Sequence, residues 1–296
     1  MPGRRDSNGR PTILRLSPGP SPRLRWGERV PLAATDAGGL VLDLTDIQFA
    51  EPTLALRLAA SEAVHDAEGI PFGVVPPRRP KVRDYLARAG LADLMGLEDP
   101  PQASDVMMPI TRVRRVSDVE GVVEQFGNRL DDASDLLPGR LAGAADALVV
   151  ALSELCGNAC SHGRNDHGTF VLAQRFGASR LVLAIGDLGV GIPVHLREAL
   201  SLSEQTAQAE VIRQALERGV TGVRGQIRGN GLPATVEAIR ELGMPAAELG
   251  IWSGAGRVRA QMRPQPALRH RVRDVSSYTQ GTWIEVVLSS TPSGRP

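Results

Sequence analysis

The stretch ELCGNACSHG at residues 154–163, followed by DLGVGI at residues 187–192, decides how the larger part of this chain folds. Glu154, Asn158 and His162 recur every four residues, so a helix projects a carboxylate, a carboxamide and an imidazole from one narrow face. Such a row suits an ion or a ligand. The other side of the same segment carries Leu148, Leu152, Leu155 and Ala159, a stripe that buries against a sheet.

Working outward, the key helix is expected over residues 141–162, after a shorter one from Asp118 to Leu130. TFVLAQRFG and SRLVLAIGD read as a hairpin about Gly177 and Ala178 that delivers Asp187 at the end of its second strand. AEVIRQALERG (209–219) reads as a helix and GVTGVRGQIRGNG (219–231) as a glycine-rich loop. LPATVEAIRELG then opens a helix with Pro233 in its first turn. ELGIWSG and GRVRAQM, hinged at Gly254 to Gly256, complete a sheet with TWIEVVLS. Helices on one face of a mostly antiparallel sheet give an α+β sandwich over residues 106–290. The basic segment 257–273, with Arg257, Arg259, Arg263, Arg269, Arg271 and Arg273, reads as a solvated loop, with an acidic-partner contact as the alternative.

Residues 35–98 alternate strand and helix. GLVLDLTD (39–46) and IPFGVV (70–75) read as buried strands. PTLALRLAASEAVHDAEG (52–69) is a helix opened by Pro52 and ended by Gly69, and PKVRDYLARAG (80–90) a second one closed by Gly90. That order implies a small α/β layer with a parallel pair. Residues 1–34 read as a disordered basic tail, since the first thirty hold seven arginines against Asp6 and Glu28. The proline-bearing EDPPQASD segment supplies a linker at 99–105. The fold class is therefore α/β with two domains.

Composition narrows the functions. The 34 basic and 33 acidic residues nearly cancel, which removes a general electrostatic case for nucleic acid or anionic membranes. Lys81 is the only lysine, so no G-x-x-x-x-G-K-[ST] phosphate loop exists. Neither an eighteen-residue apolar run nor a secretory pattern occurs, and a cytoplasmic location is expected. Cys156 and Cys160 read as small apolar residues in a reducing compartment, in preference to metal ligands with His162 or His167.

Asp187 stands where a strand meets a Gly-x-Gly turn, so its carboxylate can accept a hydrogen bond at a pocket mouth while Gly189 and Gly191 let a flat ligand approach. Adenine offers such a donor. GNGL places Gly229 and Gly231 before a helix N-terminus, where free N–H groups hold phosphate. Asn158 offers a neutral oxygen to Mg²⁺, and Glu154, one turn earlier, can orient or deprotonate a hydroxyl or a water. With QGTW at 280–283, these motifs in this order strongly resemble the GHKL (Bergerat, HATPase_c) ATPase fold shared by sensor histidine kinases, DNA gyrase, mismatch-repair ATPases and anti-sigma-factor serine kinases. The resemblance implies ATP and Mg²⁺ as cofactors, with Glu154 as general base, Asn158 on the metal and Asp187 on the adenine amine. It also implies that Gly189, Gly191, Ile192, Gly229, Gly231 and Leu232 shape the pocket and lid, and that Thr282 supports the adenine end.

The ExxxNxxxH arrangement is closest in style to the anti-sigma serine kinases. A histidine kinase needs a phosphoaccepting helical hairpin, and residues 105–140 are too short for one. His65 reads as a helix-surface residue. VLDLTDIQFAEPTLALRL (41–58) is similar to the STAS (sulfate-transporter and anti-sigma-antagonist) domain, but Pro52 falls at the expected phosphorylatable serine and Leu54 at the usual glycine, leaving Thr53 nearest. The expectation is an ATP-dependent serine/threonine kinase acting on a separate antagonist protein or bound to a sigma factor, with a degenerate STAS-like docking domain in front. A nucleotide-dependent binding switch and a hydrolytic ATPase are the alternatives. A homodimer is admitted, since relatives of the kinase branch commonly dimerise.

Overall fold

A computed structural model describes residues 11–16, 30–32, 38–98, 106–132, 143–162, 166–217, 231–262 and 269–291. The chain divides into two compact units, Met1–Ala103 and Ser104–Pro296.

The first unit is a three-stranded parallel sheet in the order β1 (Thr12–Arg15), β2 (Leu40–Asp43), β3 (Phe72–Val75). Helix α1 (Pro52–Ala67) connects β2 to β3, and α2 (Pro80–Leu86) runs on into a π-turn over Ala87–Leu91. The disordered-tail reading of residues 1–34 fails at β1, which pairs in register with β2, and at the buried Leu16, Val30 and Leu32. Four residues put only two side chains on each face, too few for a period to show among prolines and arginines. The surface reading of His65 is also corrected, since it is 0% exposed. Its Nδ1 lies 2.7 Å from the Ser61 carbonyl oxygen and its ring 5.1 Å from that of Phe72. Helix α1 is buried from Pro52 to Ser61 without interruption, so it has little polar face for a histidine to occupy.

The second unit is an antiparallel five-stranded sheet in the order β4 (Val106–Val113), β5 (Thr169–Phe176), β6 (Arg180–Asp187), β8 (Arg269–Ser289), β7 (Ala246–Met262). Its helices are α3 (Val119–Asp132), α4 (Ala145–His162), α5 (Ile192–Leu200), α6 (Gln208–Gln214) and α7 (Gly231–Glu241). Three of the four residues of the expected α4 stripe bury: Leu148, Leu152 and Leu155 join Val171, Leu183, Ile185, Ile251 and Ile284 in one core, while Ala159 stays half-buried. Strand β4 and helix α5 escape the sequence reading; in β4, Pro109 breaks the pattern and the register with β5 shifts twice.

The loop reading of 257–273 gives way to a β-ribbon, with Arg257 to Gln261 opposite Arg273 to Arg269. Its inward residues Val258, Ala260 and Met262 alternate with arginines, and the arginine count masks that period of two. The expected hinge at Gly254 to Gly256 is present as two register shifts in one long strand. The chain folds back there far enough for Arg259 Nε to lie 2.9 Å from Glu248 Oε1, eleven residues earlier in the same strand. A straight strand would hold them more than about 30 Å apart.

Candidate functional site

The site grows from three element ends. Strand β6 stops at Asp187, which register places between Thr169 on β5 and Thr282 on β8. Its side chain is buried, at 4% exposure, and Oδ1 accepts the Gly189 N–H at 2.7 Å in a turn closed two residues on. Burial pushes the carboxyl up to about 7, against the Gly189 and Thr282 N–H groups, which favour the charged form. A buried carboxyl raised in this way marks a candidate functional position.

Helix α4 supplies the second part. At Gly231, the first residue of α7, an added Cβ would collide with the Asn158 amide and lie 3.0 Å from Glu154 Oε2. Only glycine lets the two helices approach so closely, and the approach sets the α7 N-terminus beside a carboxylate and a carboxamide. Further along α4, the Cys160 thiol reaches the Thr169 hydroxyl at 3.7 Å, and Thr169 is the register partner of Asp187. Burial pushes the Cys160 thiol up, and the Asp118 and Asp187 charges add to that while the Thr169 contact opposes it. Cys156 lies in the core, and burial raises its thiol further.

Ser253 completes the arrangement and was missed by the sequence reading. Its buried hydroxyl accepts the Ile192 N–H at 3.0 Å, donates to the Gly281 carbonyl at 2.8 Å and lies 3.4 Å from Thr282 Oγ1. It ties the Gly191 turn, where α5 begins, to the strand that faces Asp187. The signal available was a serine opposite Thr282 in the otherwise apolar run from Leu249 to Gly256. Gly281 sits at φ +72°, and a Cβ there would strike the Asp187 carbonyl oxygen, so this close approach also requires glycine. Ile192 and Leu232 both pack on a small apolar cluster of Leu196, Val211 and Ala215 joining α5, α6 and α7.

The fold thus groups Glu154 and Asn158 with Gly231, Asp187 with Gly189 and Thr282, Gly191 with Ser253, and Ile192 with Leu232. Gly229, the glycine-rich loop up to residue 230 and the His162 side chain lie outside the described residues.

Among solved structures the chain is similar to the mycobacterial sensor histidine kinase MprB, at 21% identity over 50% of this chain and 73% of that chain, with a TM-score of 0.28. That likeness is too weak to carry an argument about function. No family model matches the chain, and no curated protein matches it. Among the described residues no helix is long and apolar enough to cross a membrane.

Proposed function

We propose that the second unit binds ATP with Mg²⁺ and transfers phosphate to a serine or threonine of a separate antagonist-type protein, in the manner of the anti-sigma-factor kinases it resembles. The observation that carries this reading is the contact of Gly231 with Asn158 and Glu154. It brings a helix N-terminus, suited to anionic oxygens, to a side chain that can ligate Mg²⁺ and to one that can take a proton. The residue types suit the nucleotide: a carboxamide and a carboxylate meet the α7 N-terminus at Gly231, and Asp187 is a buried carboxyl that can accept a hydrogen bond. When bound, Mg·ATP supplies the transferable phosphoryl group and the charge neutralisation for it.

In this reading Asp187 accepts the hydrogen of an exocyclic amine, Asn158 holds the metal, and Glu154 removes the proton from the attacking hydroxyl. Gly189, Gly191 and Thr282 border the base, while Ile192, Leu232 and Gly231, with Gly229, form the lid side. The first unit is a docking module of STAS-like kind that presents the partner. The protein works in the cytoplasm.

Incubation with γ-labelled ATP, Mg²⁺ and a candidate antagonist tests the assignment. Label on the partner supports kinase activity, free phosphate assigns hydrolysis, and label retained in bound ATP reduces the protein to a nucleotide-dependent switch.

A further inference from the structure

We propose that the outward face of the β7–β8 ribbon is a docking site for an acidic polypeptide that adds to it as a strand. The two faces of the ribbon differ sharply. One carries Val258, Ala260 and Met262, all buried, opposite Val272 and His270, and it packs toward α6. On that side the Asp274 carboxylate accepts the Gln208 and Ala209 N–H groups at 3.0 and 2.7 Å, capping α6. The other face carries Arg257, Arg259 and Gln261 opposite Arg273, Arg271 and Arg269.

This outward face is unfavourable by itself. Arg257 faces Arg273 and Arg259 faces Arg271, and like charges directly across a ladder repel. Arg257 is taken up internally: its guanidinium is buried and donates to the Gly254 and Gly256 carbonyls and to Thr279 Oγ1. Glu248 offsets Arg259. Arg269, Arg271 and Arg273 are exposed and belong to no ion pair among the described residues. They stand at alternate positions of one strand, about 7 Å apart, the spacing of carboxylates on alternate residues of an extended chain.

The backbone selects the kind of anion. β8 pairs with β6 only over Thr282 to Ser289, so its residues 269–274, where the three exposed arginines stand, have a ladder on the β7 side alone among the described residues. That free edge offers N–H donors and C=O acceptors in alternation. A polypeptide matches both, whereas a phosphodiester backbone brings acceptors only. An arginine guard against edge pairing would need a charge or two; opposed arginine pairs exceed that need.

The test uses the full chain without nucleotide, so its outcome is independent of the kinase reading. Fluorescein-labelled (Glu-Thr)5 is titrated at low salt and followed by anisotropy, alongside (Gln-Thr)5, (Glu-Thr)5 N-methylated at alternate residues, and a twenty-nucleotide oligo-dT. The acidic peptide should bind at least tenfold more tightly than each of the other three. Arg271→Gln with Arg273→Gln should weaken it by about fivefold or more while raising Tm, because the opposed arginines are relieved. Equal binding of the glutamine peptide, no loss on N-methylation, or preference for oligo-dT would each overturn the proposal, as would a double variant that binds as the wild type does.

Discussion

Each unit ends a strand on an aspartate and closes the same two-residue turn on it, yet the two aspartates are driven in opposite directions. Asp43, at the end of β2, accepts the Thr45 N–H at 2.9 Å, and Asp187, at the end of β6, accepts the Gly189 N–H at 2.7 Å. Hydrogen bonds from Thr45, helped by Arg15 and Arg78, hold the Asp43 carboxyl below its usual range, whereas burial raises Asp187 to about 7. The helix starts differ in the same sense. Helix α1 opens with Pro52, which has no N–H, and Thr53 behind it is 4% exposed; α7 opens with Gly231 against Glu154 and Asn158. A local motif is therefore not a site. Burial of the aspartate and the contact of the helix start with a carboxylate and a carboxamide set the second unit apart from the first.

The largest effect should come from the residue that has no counterpart at the first unit's helix start. Glu154→Ala should lower phosphoryl transfer or hydrolysis by roughly 10²–10⁴-fold while Mg·ATP affinity, read by calorimetry, stays near wild type. Normal turnover in this variant would remove the distinction between the two helix starts.

Next comes the gap itself. Gly231→Ala adds a methyl where Asn158 already stands, so either the helices separate or the amide turns away. Mg·ATP affinity should fall by about 10- to 100-fold, the range expected for an overpacking strain of about 1–3 kcal/mol. The drop should disappear when affinity is measured without Mg²⁺, if Asn158 is the metal ligand.

The aspartates give opposite pH signs. Asp187 titrates higher folded than unfolded, so its stabilising contribution is full below about pH 4 and is lost as pH rises toward about 7. Asp43 is depressed when folded, so its contribution is present at neutral pH and is lost as pH falls through the acid range. Denaturant melts of Asp187→Asn should lack a decline of up to about 1.4 kcal/mol per pH unit between pH 5 and 7 that the wild type shows. ATP affinity should rise over the same interval by up to about tenfold per unit, because the ionised carboxylate is the better acceptor of the amine. GTP, with a carbonyl at that position, should bind weakly throughout, and equal affinity for the two nucleotides would sink the Asp187 assignment.

How much of this was legible in the sequence follows from period and length. The helix carrying Glu154 and Asn158 and the hairpin ending at Asp187 were readable because eight residues or more repeat one pattern. Strand β1 was too short to show a period, β4 is broken by Pro109, and the arginine ribbon concealed its inward Val258, Ala260 and Met262. Ser253 offered only the faint signal of a lone serine in an apolar run, because its role lies in bonds to Ile192 and Gly281, 61 and 28 residues away in sequence.

The smallest expected effect is none at all, and it bears directly on the closed helix start. A phosphoacceptor needs a hydroxyl that an incoming phosphate can reach, with free N–H groups behind it. At α1 the first helical residue is proline, and the Thr53 side chain is sealed within the fold. Intact-mass analysis after incubation with Mg·ATP should show no phosphate on the first unit, and Thr53→Val, which keeps the volume, should leave phosphorylation of a separate partner unchanged. Pro52→Ser restores the hydroxyl and one N–H at the helix start, so it sharpens the comparison. If that variant acquires phosphate at residue 52 while the wild type stays bare, the proline is what separates the two helix starts; a stoichiometric phosphate on wild-type Thr53 would show that burial in α1 gives no protection and that the chain is its own substrate.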